Sequence, residues 1–157
     1  MIFPDTKEEL PFVIHEHQIG NKIDYQLSVK TADNELQFLT FPRAGNMDTI
    51  SDTPNVTRLF GTLSKDTRSK DWLTFNGKTL EPEGEDLPGI YSIMTKGALK
   101  VGEQTEKHSE VFLSSPTLTD RWIIRKIPNV LDKSLFSDKE IYLFWKPPRQ
   151  KTYSDAF

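Results

Sequence analysis

FVIHEHQIGNKIDYQLSV, residues 12–29, holds two short runs of alternating residues on either side of the pair Gly20-Asn21. Alternation with period two marks a strand with one dry and one wet face, and a Gly-Asn pair between two such runs marks a tight hairpin turn. The first run is Pro11 to His17 and the second Lys22 to Lys30. On the second, Ile23, Tyr25, Leu27 and Val29 share one face and Asp24, Gln26 and Ser28 the other.

The same signal recurs along the chain. Leu36 to Phe41 reads as a strand stopped by Pro42, whose ring removes a backbone donor, and a long polar connection, 43–55, follows. Val56 to Leu63, Trp72 to Phe75, Gly89 to Thr95, Glu110 to Ser114, Arg121 to Ile127 and Glu140 to Trp145 read as further strands, with turns at Asn76-Gly77 and Lys96-Gly97. Residues 129–139 leave room for one helical turn. The expected fold is all-β, a small closed or partly open antiparallel barrel of about eight strands with a concave cavity. It occupies residues 1–146, and 147–157 read as a mobile tail.

A chain of 157 residues fits one domain. Ten Phe, three Trp and four Tyr predict an aromatic-rich core. A net charge of −3 and a pI near 5.6 give no general positive field, so any nucleic-acid contact has to come from a local patch. The absence of cysteine excludes disulfides, thiol catalysis and thiolate metal sites. The start, MIFPDTKEEL, lacks the basic and apolar segments of a secretory signal, and no apolar run is long enough for a membrane span. A soluble cytoplasmic protein without membrane contact is expected. EPEGED, Glu81 to Asp86, reads as a charged, solvated loop.

His15 and His17 stand two apart on a strand, so both rings project from one face, where two nitrogens could converge on a divalent ion. The other reading of such a pair is hydrogen-bonded packing. Asp24, with Gln26 as second choice, faces them across the hairpin as a further ligand or as the wet face of an edge. Two histidines and a carboxylate suit manganese, iron or zinc. A serine-nucleophile elbow, a phosphate loop and a dinucleotide motif are all missing from the chain. Arg125 and Lys126 follow Trp122, a combination that can grip phosphate and stack a base, or else leave Trp122 in the core.

The quoted stretch resembles the opening signature of the 3′-phosphoesterase domain of bacterial DNA ligase D and its stand-alone relatives, Phe-Val-x-Gln-x-His followed by Leu-His-Tyr-Asp-x-Arg. FVIHEH (12–17) matches the first half and KIDYQLSV (22–29) the second in pattern, with one residue inserted between. TFPRAG (40–45), DTRSKDWLTFNG (66–77), PEGEDLPGIYSIMTKG (82–97), LTDRWIIRK (118–126) and IYLFWK (141–146) continue the similarity in order.

The resemblance implies a β-barrel that binds a divalent metal, usually manganese, and trims 3′ ends. His17 stands at the first metal histidine, Asp24 at the second, Gln26 at the metal aspartate, and Ser28 at the phosphate-gripping arginine. Arg68 stands where a histidine contacts the scissile phosphate, Trp72 at a nearby tyrosine, and His15 where glutamine is usual. The fold signature is thus kept while the catalytic set is largely replaced, and losing such groups costs orders of magnitude in rate.

Three functions follow as expectations. The first is a catalytically silent barrel binding a DNA or RNA 3′ end, a phosphorylated ligand or a repair-protein partner. The second is a manganese-dependent 3′-phosphoesterase with a rebuilt site, with His17 and Arg68 as catalytic residues and His15, His17, Asp24 and Gln26 around the metal. In either, Ser28, Arg68, Trp72, Arg125 and Lys146 are the candidate substrate contacts. The third is an interaction barrel without metal or phosphate chemistry.

Overall fold

The computed structural model describes residues 2–42, 58–79, 88–127 and 140–156. The connection 43–55, the start of the strand at Val56, the EPEGED loop and the turn expected at 129–139 lie outside them. Among the described residues ten strands follow one another: β1 (Leu10–Ile19), β2 (Lys22–Ala32), β3 (Glu35–Pro42), β4 (Arg58–Leu63), β5 (Arg68–Ser69), β6 (Gly77–Thr79), β7 (Gly89–Gln104), β8 (His108–Ser114), β9 (Thr119–Ile127) and β10 (Ile141–Trp145). Eight of them pair antiparallel in the ring β1-β2-β3-β4-β10-β9-β8-β7, which closes through β7 on β1. The fold is the all-β barrel expected from the alternation. β5, paired to β3, and β6, paired to β7, lie outside the ring. Among the described residues no helix is long and apolar enough to cross a membrane.

The ring interior is filled by side chains. Phe12, Ile14, Tyr25, Leu27, Val29, Phe41, Trp122 and Phe144 all belong to one buried cluster, with Trp122 stacked on Phe144 at 4.4 Å. Closure removes the free edges that an open sheet would present. A groove of about 500 Å³ runs on the outer wall between Glu103, Glu110, Phe112, Arg121 and the segment Arg149 to Lys151.

Two sequence expectations are corrected. Lys96-Gly97 is not a turn, because β7 runs on without a break to Gln104. A Cβ at Gly97 would collide with the Ser114 carbonyl of β8, so glycine permits close approach of two strands here. Gly97→Ala is therefore expected to lower stability by about 1–3 kcal/mol, read as a lower urea midpoint with an unchanged slope.

Trp72 to Phe75 is not a strand either. Lys70–Leu73 forms a 3-10 turn, because the Ser69 side chain accepts from the Asp71 backbone N–H and supplies the cap. The segment after Trp145 lies against the barrel: Lys100 Nζ donates to the carbonyls of Tyr153 and Ala156, and Tyr153 N–H donates to Asp120 Oδ1.

Candidate functional site

The Gly20-Asn21 turn sets the register of the first hairpin, with Gly20 at φ 57°, a conformation that glycine adopts without steric cost. The register pairs Val13 with Ser28, His15 with Gln26 and His17 with Asp24. A slip of one residue would have turned this whole set inward. Phe12, Ile14, Tyr25 and Leu27 instead face the interior, and the histidine set faces outward. The same outer face receives Phe38 of β3, opposite Ser28, and Tyr91 of β7, opposite His17.

An outward histidine would ordinarily be wet, yet His15 and His17 are both fully buried. Residues 68–79 pass over them as a strap, entering through β5 and leaving through β6. Arg68 lies under the strap, its guanidinium 3.6 Å above the Phe38 ring centroid and 4.3 Å from that of Trp72, with one nitrogen donating to Ser28 Oγ at 3.3 Å. Trp72 meets Phe75 and Tyr91 edge-on at 4.8 and 4.6 Å, and the His15 ring at 5.9 Å. Asn76 anchors the far end by accepting from Ile93 N–H.

The hydrogen bonds set the histidine protonation. His15 Nε2 lies 2.7 Å from the Phe75 carbonyl, which can only accept, so this nitrogen carries the proton. Burial, opposed by that bond and assisted by the Arg68 charge, moves the His15 pKa down. His15 is therefore a neutral ring whose Nδ1 is a bare acceptor, buried without a hydrogen-bond partner.

His17 differs. Its Nδ1 is 3.1 Å from Asp24 Oδ2 and its Nε2 2.9 Å from the Pro88 carbonyl, so both nitrogens donate when the ring is charged. Burial lowers its pKa, but the bonds to Asp24 and Pro88 and the Asp24 charge outweigh burial and Arg68, and the net shift is upward. Tyr91 stacks on the ring at 4.3 Å. At Gly89, φ 135°, a Cβ would stand 2.8 Å from His17 Nε2, so glycine is needed for the chain to reach the ring.

Gln26 Nε2 donates to Asp24 Oδ1, which leaves Gln26 Oε1 as a second buried acceptor without a partner. The face thus holds two unfilled acceptors, one histidine set between two acceptors that favour its charged form, and one guanidinium. Both His17 nitrogens and both Asp24 oxygens are engaged in hydrogen bonds, and the Arg68 guanidinium adds positive charge to the same face. Among the described residues no cluster of three His, Asp or Glu is placed to hold a metal.

The fold gathers His15, His17, Asp24, Gln26, Ser28, Arg68 and Trp72 onto one face, but not Arg125 and Lys146. Arg125 is exposed on the outer wall of β9, and Lys146 lies at a barrel end with its Nζ 6.0 Å from the Trp122 ring. Trp122 is core, stacked on Phe144 and 1% exposed, so Arg125 has no base platform there. Sequence reasoning missed Phe38, Phe75 and Tyr91. Tyr91 was signalled by Pro88-Gly89 leading directly into an apolar strand, whereas the Phe75 carbonyl left no side-chain signal. No protein-family model matches the chain, and no curated protein matches it significantly.

Proposed function

We propose that the chain is a barrel of the DNA ligase D phosphoesterase kind that has given up hydrolysis and holds a phosphorylated ligand, a DNA or RNA 3′ end being the first choice. In this reading it acts in the cytoplasm in end repair, alone or beside a repair protein. The observation that carries it is the engagement of His17: both nitrogens meet oxygen acceptors, an arrangement that favours the charged ring and leaves neither nitrogen free as a base. Arg68 adds a second positive charge on the same face, and a guanidinium suits phosphate as an anion partner while being unable to transfer a proton at neutral pH. A second reading, an interaction barrel without phosphate chemistry, is favoured by Arg68 being only 4% exposed beneath Trp72.

The test uses a primer-template ending in 3′-phosphate or a 3′-terminal ribonucleotide, with manganese, the parent protein and His17→Ala. No release of phosphate or ribonucleoside is expected from either. Release that depends on His17 would overturn the silent reading. In fluorescence anisotropy the 3′-phosphate strand should bind more tightly than its 3′-hydroxyl twin. Equal binding would leave the interaction barrel.

A further inference from the structure

We propose that the outer wall formed by β4, β10 and β9 is a docking surface for single-stranded nucleic acid, centred on Trp145. The inference uses no residue of the histidine face and does not depend on the phosphoesterase reading.

Among the described residues Trp145 is one of the few large apolar side chains left exposed, at 37%. In the ladders it stands opposite Arg58 of β4 and opposite Ile123 of β9. Alternation puts Arg121 and Arg125 on the same face as Ile123, one on each side of it. Three arginines therefore occupy ladder positions around Trp145, with Cβ separations expected from strand geometry of roughly 5 Å for Arg58 and 7–8 Å for the diagonal pair, the Arg121 guanidinium being taken up by Glu110 Oε2 and the Arg149 carbonyl. Arg58 and Arg125 are exposed, and the Arg58 guanidinium lies 5.9 Å from the Phe60 ring.

Beside this platform runs the groove of about 500 Å³, rimmed by Arg121, Arg149 and Lys151. The acids here are Glu103 and Glu110, and Glu110 is already neutralised by Arg121 at 2.6 Å. With that pair set aside, the outward face of wall and groove carries Arg58, Arg125, Arg149 and Lys151 against Glu103 among the described residues, in a chain whose net charge is −3. An acidic peptide would use the charge but gain little from an exposed indole. An unpaired strand uses both, because every base has a face to stack and every link a phosphate to neutralise. A duplex buries its bases, so the ring would have nothing to stack on.

The test is anisotropy of oligothymidine and oligouridine about 20 nucleotides long, ending in 3′-hydroxyl so that no terminal phosphate is offered to Arg68. Both are expected to bind at low salt, since stacking is indifferent to the sugar, and to quench tryptophan fluorescence. Trp145→Ala should weaken binding about tenfold, with Trp145→Phe recovering most of it. Arg58→Gln and Arg125→Gln should each reduce the salt slope by about 0.7. Lys96→Gln, exposed on β7 away from the wall, should do neither. No binding at low salt, unchanged binding by Trp145→Ala, or equal affinity for a duplex would overturn the proposal. Thermal unfolding of each variant separates a lost contact from a lost fold.

Discussion

An Arg68→Ala protein is expected to unfold about 3 kcal/mol more easily than its parent, because the substitution removes two desolvated cation–π contacts together with the packed stem of a buried side chain. The guanidinium sits between Phe38, 3.6 Å below, and Trp72, 4.3 Å above, and its donation to Ser28 Oγ ties the strap to β2. One charge shared between two rings does not count twice, and burying it in the first place costs desolvation, so the figure stays below the simple sum of its parts.

Arg68→Met separates the contributions. It keeps an unbranched stem between the rings, so the loss should fall to about 1–2 kcal/mol, which measures the charge. The Arg68 charge also holds both histidine pKa values down, so removing it should move both up, visible in the ring-proton NMR titrations. An Arg68→Ala protein as stable as the parent would mean that the strap does not hold this side chain in place.

Much of this arrangement could be read from the chain, and the reasons for the rest are physical. The Gly20-Asn21 turn spans two residues, so the register of the first hairpin followed from it, and with it the opposition of Asp24 to His17. Burial of that face did not follow, because the cover is a strap whose short apolar run, Trp72 to Phe75, is too brief to tell a strand from a turn. Its shape is decided by a cap at Ser69.

Lys96-Gly97 misled for a related reason. Glycine marks a turn or a close approach with the same letter, and only the neighbouring Ser114 distinguishes them. The two tryptophans of the late strands show the limit of alternation. Trp122 and Trp145 each alternate with apolar residues, Ile124 and Leu143, but which phase faces inward is settled by pairing across the ring. Pairing sends Trp122 in and Trp145 out, and it moves the candidate base platform from one to the other.

The two histidines should pull stability in opposite directions about the ordinary histidine value of 6.5, His15 giving a falling limb on the acid side and His17 one on the alkaline side. The His17 pKa is raised in the fold, so the stabilisation from its charged form is complete below the unfolded value and is lost as pH rises through the folded one. Deprotonation forfeits either the donation to Asp24 or that to Pro88, and the second joins β1 to the start of β7. His15 has the opposite sign. Its pKa is lowered, so its contribution is complete above the unfolded value and is lost as pH falls towards the folded one, where a buried ring must take up a proton beside Arg68.

Two substitutions take the limbs apart. Asp24→Asn removes the strongest opposition to burial at His17, so the His17 pKa should drop and the alkaline limb should flatten. At about pH 6 this variant should lose about 2 kcal/mol, the worth of a charge-assisted bond. His15→Phe keeps a planar ring beside Trp72 and Tyr91 but cannot titrate, so the acid limb should flatten while the alkaline limb stays. Urea midpoints measured from pH 5 to 8.5, the range in which histidines titrate, decide the matter. An alkaline limb that Asp24→Asn leaves in place would mean that the pair does not hold His17 in its charged form, and the anion-binding reading of the face would lose one of its two charges with it.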